Sequence, residues 1–228
     1  GDAGGAYESL EDHYGNLDEI GGPATIVDPS DGKLPMHTWA LLQRNENPQR
    51  YIHHNAACFL SGIPNTMYHG EERQFLQTSD YLVILSGNAH GYRIIALNDL
   101  PPVGEDIRLW DGSSIGRWEG NTLVVESTNF VDRWKDYRFN EIWRGASETL
   151  QLVERFSRLD DKTLLYRVTI TDPVRFTSPW TVEMYLTTDQ AAAGTTTGPI
   201  YEFACHEGNY GGANILSGAR AEDAAGGQ

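Results

Sequence analysis

The chain has 228 residues, of which 39 % are hydrophobic and 11 % aromatic, enough to bury one sizeable core and too apolar to remain disordered throughout. Thirty-two Asp and Glu against seventeen Lys and Arg leave a formal charge of −15, a sign that repels phosphate backbones and anionic headgroups and argues against nucleic-acid binding. No stretch approaches the roughly 18 consecutive apolar residues of a membrane-spanning helix, which argues against membrane insertion.

Residues 1–70 read as an acidic, extended N-terminal arm. Eight acids (Asp2, Glu8, Glu11, Asp12, Asp18, Glu19, Asp28 and Asp31) and no base fall within residues 1–32, among several glycines and few periodic apolar positions. Such an arm is either solvated or docked, on its own body or on a neighbouring copy; the latter would make a homo-oligomer. A start at Gly1 without Met fits a processed, exported bacterial protein. Within the arm, Pro35–Arg44 carries Met36, Trp39, Ala40 and Leu42 at helical spacing and predicts one short amphipathic helix.

From residue 71 to 228 the pattern predicts a β domain. Alternation predicts strands over Gln74–Thr78, Tyr81–Ser86, Tyr92–Leu97, Asp106–Trp110, Thr122–Thr128, Glu148–Arg158, Thr163–Thr171, Thr181–Thr187 and Pro199–Cys205. The clearest case is Thr163–Thr171, where Leu164, Tyr166, Val168 and Ile170 share a face. Turn residues separate the strands, and two turns make hairpins: Leu159-Asp160-Asp161-Lys162 between the two longest strands, and Glu119-Gly120-Asn121-Thr122 between Ile115–Trp118 and Leu123–Val125. Ala213–Ala225 predicts a second helix, weakened by Gly218. Successive strands with short links imply an antiparallel meander. Closure into a calycin- or lipocalin-like barrel is the usual way for such a sheet to cover its edges, with a β-sandwich as the alternative.

The two cysteines, Cys58 and Cys205, read as one disulfide if the protein is exported, and otherwise as two buried thiols. Several stretches resemble a group of exported bacterial proteins: Ile26-Val27-Asp28-Pro29-Ser30-Asp31-Gly32-Lys33-Leu34-Pro35, Cys58 through Pro64, Gly116-Arg117-Trp118-Glu119-Gly120-Asn121-Thr122-Leu123-Val124-Val125, Val153-Glu154-Arg155-Phe156 and Tyr201 through Tyr210. The resemblance implies an exported protein with a mostly β body, and it carries no catalytic assignment. Relatives in that group usually have His at Ser113 and Asp at Asn121, so no role for that His passes to this chain.

Three polar clusters are candidates for chemistry. Cys205-His206-Glu207-Gly208-Asn209 puts His206 beside a carboxylate, an acid and a base near neutral pH if Gly208 lets the chain bend and bring both to one side; the plainer reading has His206 on a backbone carbonyl and Glu207 capping a turn. In Asn88-Ala89-His90-Gly91-Tyr92-Arg93, His90 and Tyr92 share one face and would serve with His206 or Tyr201 in proton transfer, while Arg93 takes the other face. Trp118, beside Arg117, and Trp110 are stacking surfaces for a sugar or aromatic ligand, or simply plugs of the barrel base.

The seven His show no metal-ligand spacing, and Asp28, Asp31, Asp160 and Asp161 are what turns require anyway. Glycine-rich phosphate loops and a Gly-x-Ser-x-Gly elbow do not occur, so the expected chemistry is cofactor-free. Three functions follow. One is an acid–base enzyme (lyase, isomerase or hydrolase) using His206, His90, Tyr92 and Glu207, with Trp118, Trp110, Arg93 and Tyr201 against the ligand. The others are a non-catalytic small-ligand binder and an assembly subunit using the arm.

Overall fold

The structure is a computed structural model that describes residues 25–42, 58–60, 62–68, 72–87, 91–97, 103–132, 147–191 and 197–226. Nine strands carry it: β1 (Thr25–Asp28), β2 (Arg73–Gln77), β3 (Tyr81–Ser86), β4 (Tyr92–Ala96), β5 (Ser113–Glu119), β6 (Thr122–Thr128), β7 (Gln151–Arg158), β8 (Thr163–Thr171) and β9 (Trp180–Thr187). They form one sheet in the order β1-β9-β8-β7-β6-β5-β4-β3-β2. Among the described residues, helix is found at residues 38–42, Asn65–Tyr68 and Gly211–Gly226.

Both expected hairpins form. In β7–β8, Phe156 pairs with Tyr166 and Leu152 with Ile170, so the period-two apolar set of each strand lands on one face. In β5–β6, Glu119 pairs with Thr122, and Gly120 takes the positive φ of 59° that the tight link requires. The meander is nevertheless not antiparallel throughout. Strand β5 runs parallel to β4, through only two pairs, Ile95 with Ser114 and Ala96 with Ile115.

The ladder is open: β1 and β2 stand at its ends and do not pair with each other. The closed barrel expected from alternation is not what the hydrogen bonds make. The sheet is strongly curled all the same. Five strand intervals separate β2 from β7, about 24 Å in a flat sheet at about 4.8 Å per strand, yet the Phe75 and Phe156 rings meet at 6.1 Å between centroids. Opposite parts of the inner face thus pack on one another, as the sandwich alternative also requires. Ile84, Ile95, Leu123, Val125, Leu152, Phe156, Tyr166 and Val168 are buried there.

Two expected strands are corrected. Asp106–Trp110 is a clamped loop: Asn129, with φ of 61°, donates from its side chain to the carbonyls of Gly104 and Ile107, and Leu109 makes only an isolated bridge with Phe130. Pro199–Cys205 forms no strand with any of the described residues; Gln190 grips Gly198 through both its carboxamide atoms, and the segment then runs into a turn. The helix expected over Pro35–Arg44 is helical over residues 38–42, and the one expected over Ala213–Ala225 extends to Gly211–Gly226.

The described part of the leading 70 residues joins the body. Thr25–Asp28 adds an edge strand along β9, Met36 bridges Phe176, and Ile63 and Met67 sit in the core. On the outer face, Arg117, Arg155 and Arg167 lie in one cross-strand row and are tied to Glu126, Glu119 and Glu183 respectively. These three cations and three anions compensate one another, in a chain of −15.

Candidate functional site

A charged residue on the inner face of a curled sheet must be neutralised and hydrogen-bonded or it destabilises the fold by several kcal/mol. Arg93 on β4 and Glu154 on β7 are two such residues, 7 % and 0 % exposed. Each follows the apolar period of its strand: Arg93 shares a face with Ile95, and Glu154 with Leu152 and Phe156. The curl brings them together. Arg93 Nη1 donates to Glu154 Oε1 at 2.8 Å and Nη2 donates to Oε2. The side of the guanidinium formed by Nε and Nη2 embraces Ser114 Oγ at 3.1 and 3.0 Å, and Ser127 Oγ accepts from Nη2 at 2.8 Å. Tyr166 completes the carboxylate by donating its hydroxyl to Glu154 Oε1 at 2.8 Å. Burial disfavours the Arg93 cation, but the charge and hydrogen bonds of Glu154 outweigh it, and the guanidinium is held above its ordinary value.

Beside this network the sheet opens. Because β4 and β5 pair at only two positions, Tyr92, Arg93 and Ile94 diverge from the chain entering β5, and a cleft of about 370 Å3 fills the wedge, lined by Leu60, Leu109, Asp111 and Gly112 as well as by Arg93, Tyr92, Ile94 and Ser114. Tyr92, Ile94 and Leu109 are exposed and form an apolar wall, while Arg93 and Ser114 lie deeper. Gly112 shapes the far side. Its φ is 65°, and a Cβ there would stand 2.5 Å from the carbonyl oxygen of Thr128, so any side chain would push this wall inward. Asp111 is positioned by the backbone N–H of Ile63, which donates to its carboxylate at 3.2 Å.

The sequence-predicted residues are distributed unevenly around this cleft. Arg93 lines it from the inner face and Tyr92 from the outer one. His90 lies outside the described residues. Trp110 is half-buried behind the wall, edge-on to Phe59 with centroids 5.1 Å apart. Trp118 sits at the far end of β5, half exposed and away from the lining. His206 and Glu207 project from an exposed turn, and Tyr201 is exposed on the segment leading to it. No contact joins these three to the cleft among the described residues.

That turn is fixed to the cleft indirectly. Cys205 is bonded to Cys58, with Cα atoms 5.6 Å apart across a separation of 147 residues, and Cys58 is two positions from Leu60. Asn209 donates from its amide to Cys58 Sγ at 2.8 Å. Among the described residues no three His, Cys, Asp or Glu side chains converge on a point where a cation could sit. No helix among them is long and apolar enough to cross a membrane.

Two cleft residues, Asp111 and Ser114, and the anchoring Glu154 were missed by sequence reasoning. The signal for Glu154 was a carboxylate on the inward face of an otherwise apolar strand; Asp111 and Ser114 carry none. Comparison with known proteins found no matching family model, no matching curated protein and no matching solved structure, so the site is read from the chain's own residues.

Proposed function

We propose that the protein is an exported small-molecule-binding protein, built on an open, calycin-like barrel, whose ligand enters the wedge between β4 and residues 109–112. The single observation that carries this reading is the cleft itself. Its volume of about 370 Å3 falls within the range of small-ligand sites, and its make-up of apolar wall and a few deep polar groups is the composition such sites share. The disulfide supports the compartment, since disulfides persist in oxidising surroundings.

Binding fits better than acid–base catalysis. Arg93 and Glu154 are locked to one another, and His206 and Glu207 belong to a surface turn. Tyr92 serves as a wall in this reading, and the partner is a small molecule rather than a macromolecule.

The test is a ligand-observed NMR screen of small aromatics and sugars against the purified protein, repeated with Tyr92→Ala and Ile94→Ser. Both side chains are exposed, at 65 % and 52 %, so neither change removes core. Hits should weaken at least about tenfold in these variants and should be untouched by Tyr185→Ala, an exposed tyrosine on β9, several strands away from β4 in the sheet. A screen without hits at millimolar concentration, or hits indifferent to both wall variants, would overturn the reading.

A further inference from the structure

The Cys58–Cys205 bond lies at the surface: both cysteines are partly exposed, and Ala204, His206, Glu207 and Asn209 around Cys205 are exposed. A disulfide exchanges when a thiolate attacks one sulfur and the other leaves as a thiolate. Its lability is therefore decided by access to the first sulfur and by stabilisation of the second.

Asn209 supplies the stabilisation. Its carboxamide oxygen accepts the backbone N–H of Gly211 at 2.9 Å, at the start of the Gly211–Gly226 helix, as a helix-capping side chain does. That contact fixes the direction of the carboxamide and turns its nitrogen to the sulfurs. The nitrogen donates to Cys58 Sγ at 2.8 Å and to Cys205 Sγ at 3.7 Å. A hydrogen bond to a sulfur strengthens as that sulfur becomes an anion, and the nearer sulfur gains more. Cys58 is thus the better leaving group, and Cys205, in the exposed turn, is the sulfur open to attack. Cys58 also holds a φ of 53°, an unfavourable conformation for a residue with a side chain, which the chain can relax once the bond opens. The helix that follows the turn buries none of its residues, so apolar burial does not fix it. The disulfide ties this segment to the stretch ending in Leu60 on the cleft wall.

We propose that the Cys58–Cys205 bond is a thiol-exchange site in the folded protein, opened by a dithiol, and that opening it releases the C-terminal segment from the stretch beside the cleft. One thiolate of the dithiol attacks Cys205 Sγ. The disulfide breaks, and Cys58 takes the electron pair as a thiolate under the Asn209 amide. The second thiolate of the dithiol then attacks the dithiol's own sulfur in the mixed disulfide, and Cys205 leaves as a thiolate. The dithiol departs as a cyclic disulfide, its two electrons pass to the protein's bond, and its two protons end on the cysteines. Asn209 is a positioning residue, and the exchange requires no ligand in the cleft.

Dithiothreitol is the probe, with free thiols counted by alkylation and mass spectrometry. Without denaturant, the rate of reduction should rise in proportion to dithiothreitol over about 1–50 mM and be indifferent to about 0.5 M urea, as attack on an accessible bond requires. A rate that levels off with dithiothreitol and climbs with urea would mean that the sulfurs are reached only through unfolding, and overturns the proposal. Asn209→Asp keeps the oxygen that caps the helix and removes the donor, so reduction should slow at least about tenfold; an unchanged rate overturns the role of Asn209. With 2-mercaptoethanol, a monothiol, the trapped adduct should map to Cys205, and an adduct on Cys58 reverses the assignment of the leaving group. After reduction and alkylation, backbone order parameters from 15N relaxation should fall across residues 199–212 while β7 and β8 keep theirs. No change in that segment, or loss of order in β7 and β8 as well, overturns local release.

Discussion

Replacing Glu154 by glutamine keeps the shape of the side chain and removes its charge. Glu154 is fully buried and accepts hydrogen bonds from both terminal nitrogens of Arg93 and from Tyr166. The carboxamide offers one oxygen where the carboxylate offered two, and its NH2 meets an Arg93 donor head-on. A guanidinium 7 % exposed then loses the carboxylate paired with it, a change that destabilises by about 3–5 kcal/mol. In urea, with a slope of about 2–3 kcal/mol/M for a domain of this size, the midpoint should fall by about 1–2 M. Removing both charges together, as Glu154→Gln with Arg93→Met, should recover most of the loss, because the penalty belongs to the cation that has lost its paired carboxylate. The loss should persist in high salt, since a pair this deep is poorly screened. It should also persist across neutral pH. Glu154 holds the Arg93 guanidinium above its ordinary value against the opposing effect of burial, so its contribution is complete below the unfolded value and fades only in strongly alkaline solution. A midpoint shift under about 0.3 M for Glu154→Gln, or a double variant worse than the single one, would refute this account of the network.

The disulfide closes a separation of 147 residues, for which loop-closure entropy gives about 5 kcal/mol in the chain-entropy model; Cys58→Ser with Cys205→Ser should lower the urea midpoint accordingly, and an unchanged midpoint would show that both segments are held by packing alone. Glu119 is held below the usual carboxylate range, chiefly by the hydrogen bond from Arg155 and further by Arg117. Its small contribution is present above the unfolded value and is lost as pH falls through the lowered one. An NMR titration should show Glu119 moving back toward an ordinary glutamate in Arg155→Ala, and both proteins titrating alike would mean that the surface pair does not form in solution.

How much of this was legible in the sequence depends on how locally each element is decided. Strands β7 and β8 could be read directly, because Leu164, Tyr166, Val168 and Ile170 repeat with period two and a four-residue turn separates the pair. Asp106–Trp110 shows similar alternation and is a loop, because Asn129, about twenty residues away, supplies the hydrogen bonds that a neighbouring strand would have given. Thr25–Asp28 is a strand only because β9 offers it an edge, which four residues cannot announce.

The opposite directions of Tyr92 and Arg93 follow from strand geometry and were visible. The position of the cleft was not. It depends on the two-residue parallel pairing of β4 with β5 and on a curl that brings residues 61 positions apart into one ion pair, and no window on the sequence contains either.

That short parallel pairing also divides the sheet mechanically. Strands β2, β3 and β4 form one flap and the remaining six form another, and along the seam main-chain bonding is scarcer than anywhere else in the ladder. Arg93 rises from the small flap and Glu154 from the large one, so their ion pair works as a rivet across the joint. Whatever guest occupies the wedge would lie against that rivet, where a modest force is best placed to hold the two flaps together or prise them apart.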